Sequence, residues 1–304
     1  MLEQLDAEGH KDYQSDHQMC RIGTNVRNLA GSEIRSDINA RFLNNALLER
    51  EVLNANSAGA VGMMQDYKNR MEQFKRVYCN VQDNNNGLQN VCAAGAKREN
   101  NDIDYTRLIE GHMTLDIDFT DNNLTNDEED IIALSKNLFS HNIMKIQKRQ
   151  LMETVARNEY QDLRSIVAMR SIARNSYTKI IGQRAKGTAR LGPYMHNIIS
   201  AFGVPDDDLD RFLGQDPSYF AQMEVLTKKL FESPSFFANL YTTPANIERT
   251  KVTLQALRLM QDRDRYESSL RRELLISMIL EAKLREHQEN LNNETMNMTD
   301  MNIK

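Results

Sequence analysis

The chain has 304 residues, enough for one large domain or two smaller ones, and sets 38 Lys and Arg against 43 Asp and Glu for a net charge of −5. With 5 Pro, 13 Gly, no Trp and 7% aromatic residues, it is short of the turn residues that β-rich folds and glycine-loop nucleotide folds need, so the balance points to long helices. The acidic excess argues against wholesale coating of nucleic acid, though not against a local basic face, and no stretch reaches the roughly 20 apolar residues of a membrane span.

Residues 1–18 are polar, and the opening Met1-Leu2-Glu3-Gln4-Leu5-Asp6 has neither the basic region nor the apolar run of an export signal. From Thr24 to Leu53 an amphipathic pattern predicts a helix with Val26, Ala30, Ile34, Ile38, Phe42, Ala46 and Leu47 on its buried face. A second helix is expected from Val61 to Val81, with Met64, Tyr67, Met71, Phe74 and Tyr78 as its stripe. The short connection predicts an antiparallel hairpin between the two.

Three cysteines are present, Cys20, Cys79 and Cys92, an awkward count for a wholly disulfide-bonded protein. Cys79 and Cys92 bracket Asn84-Asn85-Asn86-Gly87, and Asn and Gly tolerate the left-handed backbone of a turn. That placement predicts a Cys79–Cys92 disulfide, worth about 3 kcal/mol in the chain-entropy model. Two reduced thiols in a cytosolic protein are the alternative.

Tyr105 to Met113 could form a short helix, and Thr114-Leu115-Asp116-Ile117-Asp118-Phe119 alternates as an extended segment does. Thr125-Asn126-Asp127-Glu128 then reads as a capping box opening a long helix. Its apolar positions recur from Ile131 and Leu134 to Tyr177 and Ile180, with no Pro or Gly before Gly182. One unbroken helix there would span about 80 Å at 1.5 Å per residue. Short helices are expected at Tyr194–Phe202, after Val204-Pro205, from Pro217 to Phe231, and at Phe236–Tyr241. A last long helix runs from Pro244 to His287, carrying Leu254, Leu257, Tyr266, Leu270, Leu274, Met278 and Leu284. The two long stripes should bury each other, with the first helix as a third face. Asn290 to Lys304 lacks periodicity and reads as a disordered tail.

The signals for chemistry are sparse. Asp116, Asp118, Asp121, Asp127 and Glu128 echo a calcium loop, but Asp121 occupies the position where such a loop needs Gly. Helix capping and turn formation are the plainer use of these carboxylates. His17 and Cys20 have a metal-like spacing without a second pair. No nucleophile, Walker or dinucleotide motif is present, so neither an enzyme nor a cofactor or metal is expected. The long helix is basic through Lys145, Lys148, Arg149, Arg157, Arg164, Arg170 and Arg174, which could form a ridge for an anionic partner. Only Tyr160 and Tyr177 interleave with it, too few to support base stacking. A solvated face partly paired with neighbouring carboxylates is the plainer reading. Arg170, on the seam, should snorkel outward or meet an acid.

Several patches carry a resemblance. They are Cys20-Arg21-Ile22-Gly23-Thr24-Asn25-Val26-Arg27, the Cys79–Cys92 loop, Leu115-Asp116-Ile117-Asp118-Phe119-Thr120, Arg170-Ser171-Ile172-Ala173-Arg174-Asn175-Ser176-Tyr177, Pro217-Ser218-Tyr219-Phe220 and Leu257-Arg258-Leu259-Met260-Gln261. Together they resemble helical, exported accessory proteins of bacterial conjugation or type IV secretion loci. The resemblance implies a non-enzymatic, periplasmic assembly component that works through other protein subunits.

The expected architecture is all-α: an elongated bundle on two long amphipathic helices, with coiled-coil contacts and an N-terminal hairpin. Residues 19–112 form the hairpin region, 113–289 the long-helix bundle and 290–304 the tail. The rival reading is a cytoplasmic helical protein that binds nucleic acid through the basic face.

Overall fold

The computed structural model describes residues 16–53, 60–93, 96–121, 123–139, 154–188, 213, 216–229 and 244–301. Among them the chain is an all-α, multi-helix bundle without a strand. Helix α1 spans Asp16–Leu48 and continues through a wide turn at Glu49–Leu53. Helix α2 spans Ala60–Gln73 and likewise widens at Phe74–Tyr78. Helix α3 spans Asn126–Phe139, α4 Thr154–Arg184, α5 Tyr219–Glu224 and α6 Pro244–Met301.

The capping box forms as the sequence predicts. Glu128 N–H donates to Thr125 Oγ1 at 3.2 Å, and Thr125 N–H donates to Glu128 Oε2 at 3.0 Å. Glu128 is buried, and its other oxygen accepts the Asp118 N–H at 2.7 Å, so one carboxylate both caps α3 and ties down the segment before it. That segment bends at Asp116 instead of running extended as expected: Ile117 N–H donates to Leu115 O at 2.8 Å. In that segment Leu115 and Ile117 are buried and Asp116 is exposed, as the alternation requires. Its backbone is secured to the end of α4: Leu115 N–H donates to Arg184 O and Lys186 N–H to Ile117 O.

The first core holds Leu43, Leu47, Ile109, Leu115, Ile117, Ile131, Leu134, Tyr177 and Ile181. It draws on both sides of residues 112/113, where the sequence reading put a domain boundary. A second core gathers Leu29, Leu213, Tyr219, Val225, Leu226 and Leu257. Each such buried aliphatic side chain contributes roughly 1.5–3 kcal/mol.

The pairing of helices differs from the expectation. The most extensive partner of α4 is α1, not α6. The face that α1 buries also differs. It runs through Leu29, Ser32, Ser36, Asn39, Ala40, Leu43 and Leu47, whereas Ile34, Ile38 and Phe42 of the expected stripe are exposed. Gly182 supplies the physical reason. Expected to follow the long helix, it lies inside α4, so close to α1 that a Cβ there would overlap the Ser36 carbonyl oxygen. Small residues at Ser32, Ser36 and Ala40 let the two backbones approach, and that shape match outweighs the apolar count of the other face.

Residues 140–153 lie outside the described residues, so α3 and α4 are described as two helices. The short helices expected at 194–202, 204 onward and 236–241 also lie outside them. The helix expected from Pro217 is present: Ser218 Oγ accepts the Ala221 N–H at 3.1 Å, capping α5. At the C-terminal end α6 runs on to Met301, through most of the stretch read as a disordered tail. No Pro or Gly after Pro244 interrupts it.

Candidate functional site

Cys79 and Cys92 are joined, with a Cα–Cα distance of 5.4 Å. Between them Asn84, Asn85 and Asn86 take the left-handed conformation, at φ of 54°, 56° and 62°. The asparagines, not Gly87, make the turn. The loop is anchored beneath by Ala93 N–H to Lys75 O, Arg98 N–H to Val77 O and Asn100 N–H to Tyr78 O. Under it lies a polar knot around Asp130, which accepts from Tyr78 Oη at 2.9 Å, Arg98 Nη1 at 3.1 Å and Asn101 Nδ2 at 2.7 Å. Burial raises the Asp130 carboxyl above its ordinary value, against those donors; burial and the adjacent Asp130 charge raise the Tyr78 phenol. Beside the knot is a groove of about 480 Å³, whose Lys136 ammonium is pushed down by burial and by Arg50.

Of the basic residues singled out from the sequence, Arg164, Arg170 and Arg174 have described side chains. Lys145, Lys148 and Arg149 lie outside the described residues, as does the side chain of Arg157. Arg164 is exposed, with its guanidinium over the Tyr160 ring at 5.8 Å. Arg170 and Arg174 turn inward to the two oxygens of Glu51, at 3.0 Å and 3.1 Å. Arg174 and Glu51 have no exposed side-chain surface at all, and Arg174 Nε donates to Asn44 Oδ1 at 3.0 Å. One turn apart on α4, Arg170 and Arg174 share the face that meets α1, and the single Glu51 carboxylate bridges them there. Further along, Lys179 pairs with Asp37 and Lys186 with Asp116. The calcium-like carboxylates are also engaged by the backbone: Asp127 accepts the Asp116 N–H at 2.7 Å and Asp121 the Asn123 N–H at 2.9 Å. No group of three or more metal-ligating side chains forms among the described residues.

No protein-family model matches this chain, and neither a curated protein nor a solved structure does.

The remaining feature is α6, which no motif in the sequence marked as a site. Leu257 and Met260 seat its first part on the second core, and Tyr219 Oη donates to Asp264 at 2.7 Å. Beyond that bond an open groove of about 570 Å³ separates α6 from α4, with Lys179, Asp264, Arg265, Arg271 and Arg272 on its walls. Burial raises the Asp264 carboxyl; burial, then the Asp264 and Asp37 charges, raise that of Glu33 nearby. The face of α6 turned away from the body carries large exposed apolar side chains, among them Leu259 at 70% and Ile276 at 65%. The segment Leu274-Leu275-Ile276-Ser277-Met278-Ile279-Leu280 is apolar nearly all round, a composition that belongs in an interior. No described helix is long and apolar enough to cross a membrane.

Proposed function

We propose that this chain is a structural, non-enzymatic component of a bacterial secretion or conjugation machine, acting in the periplasm through helix-mediated contacts with other protein subunits. In this reading the bundle is elongated, built on an N-terminal hairpin and two long amphipathic helices, one of which offers a coiled-coil surface. The observation that carries it is the outer face of α6. Val252, Leu259, Leu280 and Leu284 are all more than half exposed, on a helix whose first part is seated on the second core through Leu257 and Met260. A protein that acted alone would bury or replace such side chains, because large apolar patches mark interaction surfaces. The Cys79–Cys92 disulfide suits an oxidising compartment, and the sequence patches that resemble conjugation and type IV secretion accessory proteins supply the setting. Arg174 supports it from the other side, since a guanidinium with no exposed side-chain surface cannot reach a phosphate, and its neighbour Arg170 is engaged by the same Glu51.

The test is genetic and in the native host. Deletion of the gene should abolish conjugative transfer or effector secretion, and a photo-crosslinker at Leu280 should capture a component of that machine. Transfer and secretion undiminished by the deletion would overturn the reading.

A further inference from the structure

The outer stripe of α6 has a charge pattern that selects its partner. Successive outward positions alternate steps of four and three from Val252 to Leu284, as the seam of a coiled coil does. The stripe is about 48 Å long at 1.5 Å per residue, roughly four and a half heptads, enough to sustain such a pairing. Two of its positions are charged, Arg263 and Glu273; both side chains are exposed, and Arg263 also meets Glu267 one turn on at 3.1 Å, a solvent-exposed pair that leaves it within reach of a second acid. A parallel copy would set Arg263 on Arg263 and Glu273 on Glu273. An antiparallel copy centred on Ser268 brings each Arg263 opposite Glu273 of the other copy.

The same centre puts every other seam position in a matched layer. Tyr266 meets Leu270, Leu259 meets Ser277, Ala256 meets Leu280, and Val252 meets Leu284, each twice by symmetry. The body lies on the opposite side of α6, held by Leu257, Met260 and Asp264, so the two bodies end up outside the pair. Leu274 and Ile276, both exposed, flank the seam and widen the apolar strip.

We infer that the outer face of α6 is a self-association surface on which a second copy of this chain lies antiparallel, in the register that pairs Arg263 with Glu273. The inference rests on the proposed role in helix-mediated contacts and names the partner. Charged seam residues cost stability but exclude the wrong register and orientation.

Sedimentation equilibrium of the full, oxidised chain tests it, with circular dichroism confirming that each variant stays helical. The wild-type protein should dimerise. R263E and E273R alone should each weaken the dimer about tenfold or more, because each sets like charges face to face. The double variant R263E/E273R should restore it. Within one chain the two residues lie about 15 Å apart along the helix, so this rescue can only act between copies. A parallel pair would keep like on like in all four proteins and associate equally in each, which overturns the inference. So would a double variant no better than the singles, or a wild-type monomer at every concentration. A monomer whose Leu280 still crosslinks to another machine component would overturn the inference while leaving the proposed function standing.

Discussion

Arg174 Nη1 lies 3.1 Å from Glu51 Oε2, with both side chains wholly inside the protein. Glu51 spends its second oxygen on Arg170, so one carboxylate holds two guanidinium groups of α4 against the end of α1. Arg174 Nη2 has no hydrogen-bond partner among the described residues, which makes the remaining contacts more valuable. Glu51→Ala should therefore destabilise the fold by about 3–5 kcal/mol, the cost of leaving a buried charge uncompensated. The joint variant E51A/R174M should lose less than Glu51→Ala alone. Arg164→Gln, at an exposed position of the same helix, should stay within about 0.5 kcal/mol. Urea denaturation followed by circular dichroism measures all three; equal loss in all of them would refute the account.

The groove between α4 and α6 makes stability depend on pH. Asp264 and Glu33 have folded-state carboxyl values above the ordinary ones of 3.8 and 4.5, with burial the largest cause in each. The native state then holds its protons more tightly than the unfolded chain. Their contribution is present below the ordinary values and is lost as pH rises through the raised ones. Asp102 and Asp130 act in the same direction. Asp264→Asn keeps an acceptor for the Tyr219 hydroxyl, removes the buried charge and relieves Glu33. It should raise the urea midpoint in neutral buffer and flatten the decline between mildly acidic and neutral conditions.

The disulfide closes a loop with a sequence separation of 13. Reduction, or replacement of both cysteines by serine, should cost about 3 kcal/mol. Because the loop backbone is tied to the end of α2 and Arg98 reaches Asp130 on α3, the loss should appear in those elements first. Amide exchange of residues 74–78 and 126–139 would accelerate more than that of 154–184. Non-reducing peptide mapping should recover Cys79 joined to Cys92.

Gly182→Ala tests the contact that sets how α1 and α4 meet. In an isolated helix the change would add about 1 kcal/mol of propensity. Here the added methyl overlaps the Ser36 carbonyl oxygen and touches Ala40 at 3.0 Å, and a helix backbone cannot yield as a flexible side chain can. A net loss of about 1–3 kcal/mol is expected from overpacking. A stabilised variant would mean that the helices separate more readily than this packing allows.

What the sequence determined by itself was local. The scarcity of Pro and Gly marks an all-α chain, Thr125 with Glu128 marks the start of α3, the Leu115–Ile117 alternation marks which side chains of that segment are buried, and the asparagines between Cys79 and Cys92 mark a turn that brings the two sulfurs together. Each of these rests on residues a few positions apart, whose preferences act before any tertiary contact exists. Only the tertiary structure decided which faces are buried. Ile34 and Phe42 have the greater apolar content, yet α1 buries Ser32, Ser36 and Ala40, because close approach to Gly182 depends on shape and not on hydrophobicity. Likewise the position of Arg170 on the seam calls for an outward path or an acid, but only the tertiary structure names Glu51, more than a hundred residues earlier, as the acid for it and for Arg174, and the bond from Tyr219 to Asp264 has no local signature at all. Pairings across such separations depend on how whole helices dock, and a periodicity read along one helix carries no record of its partner.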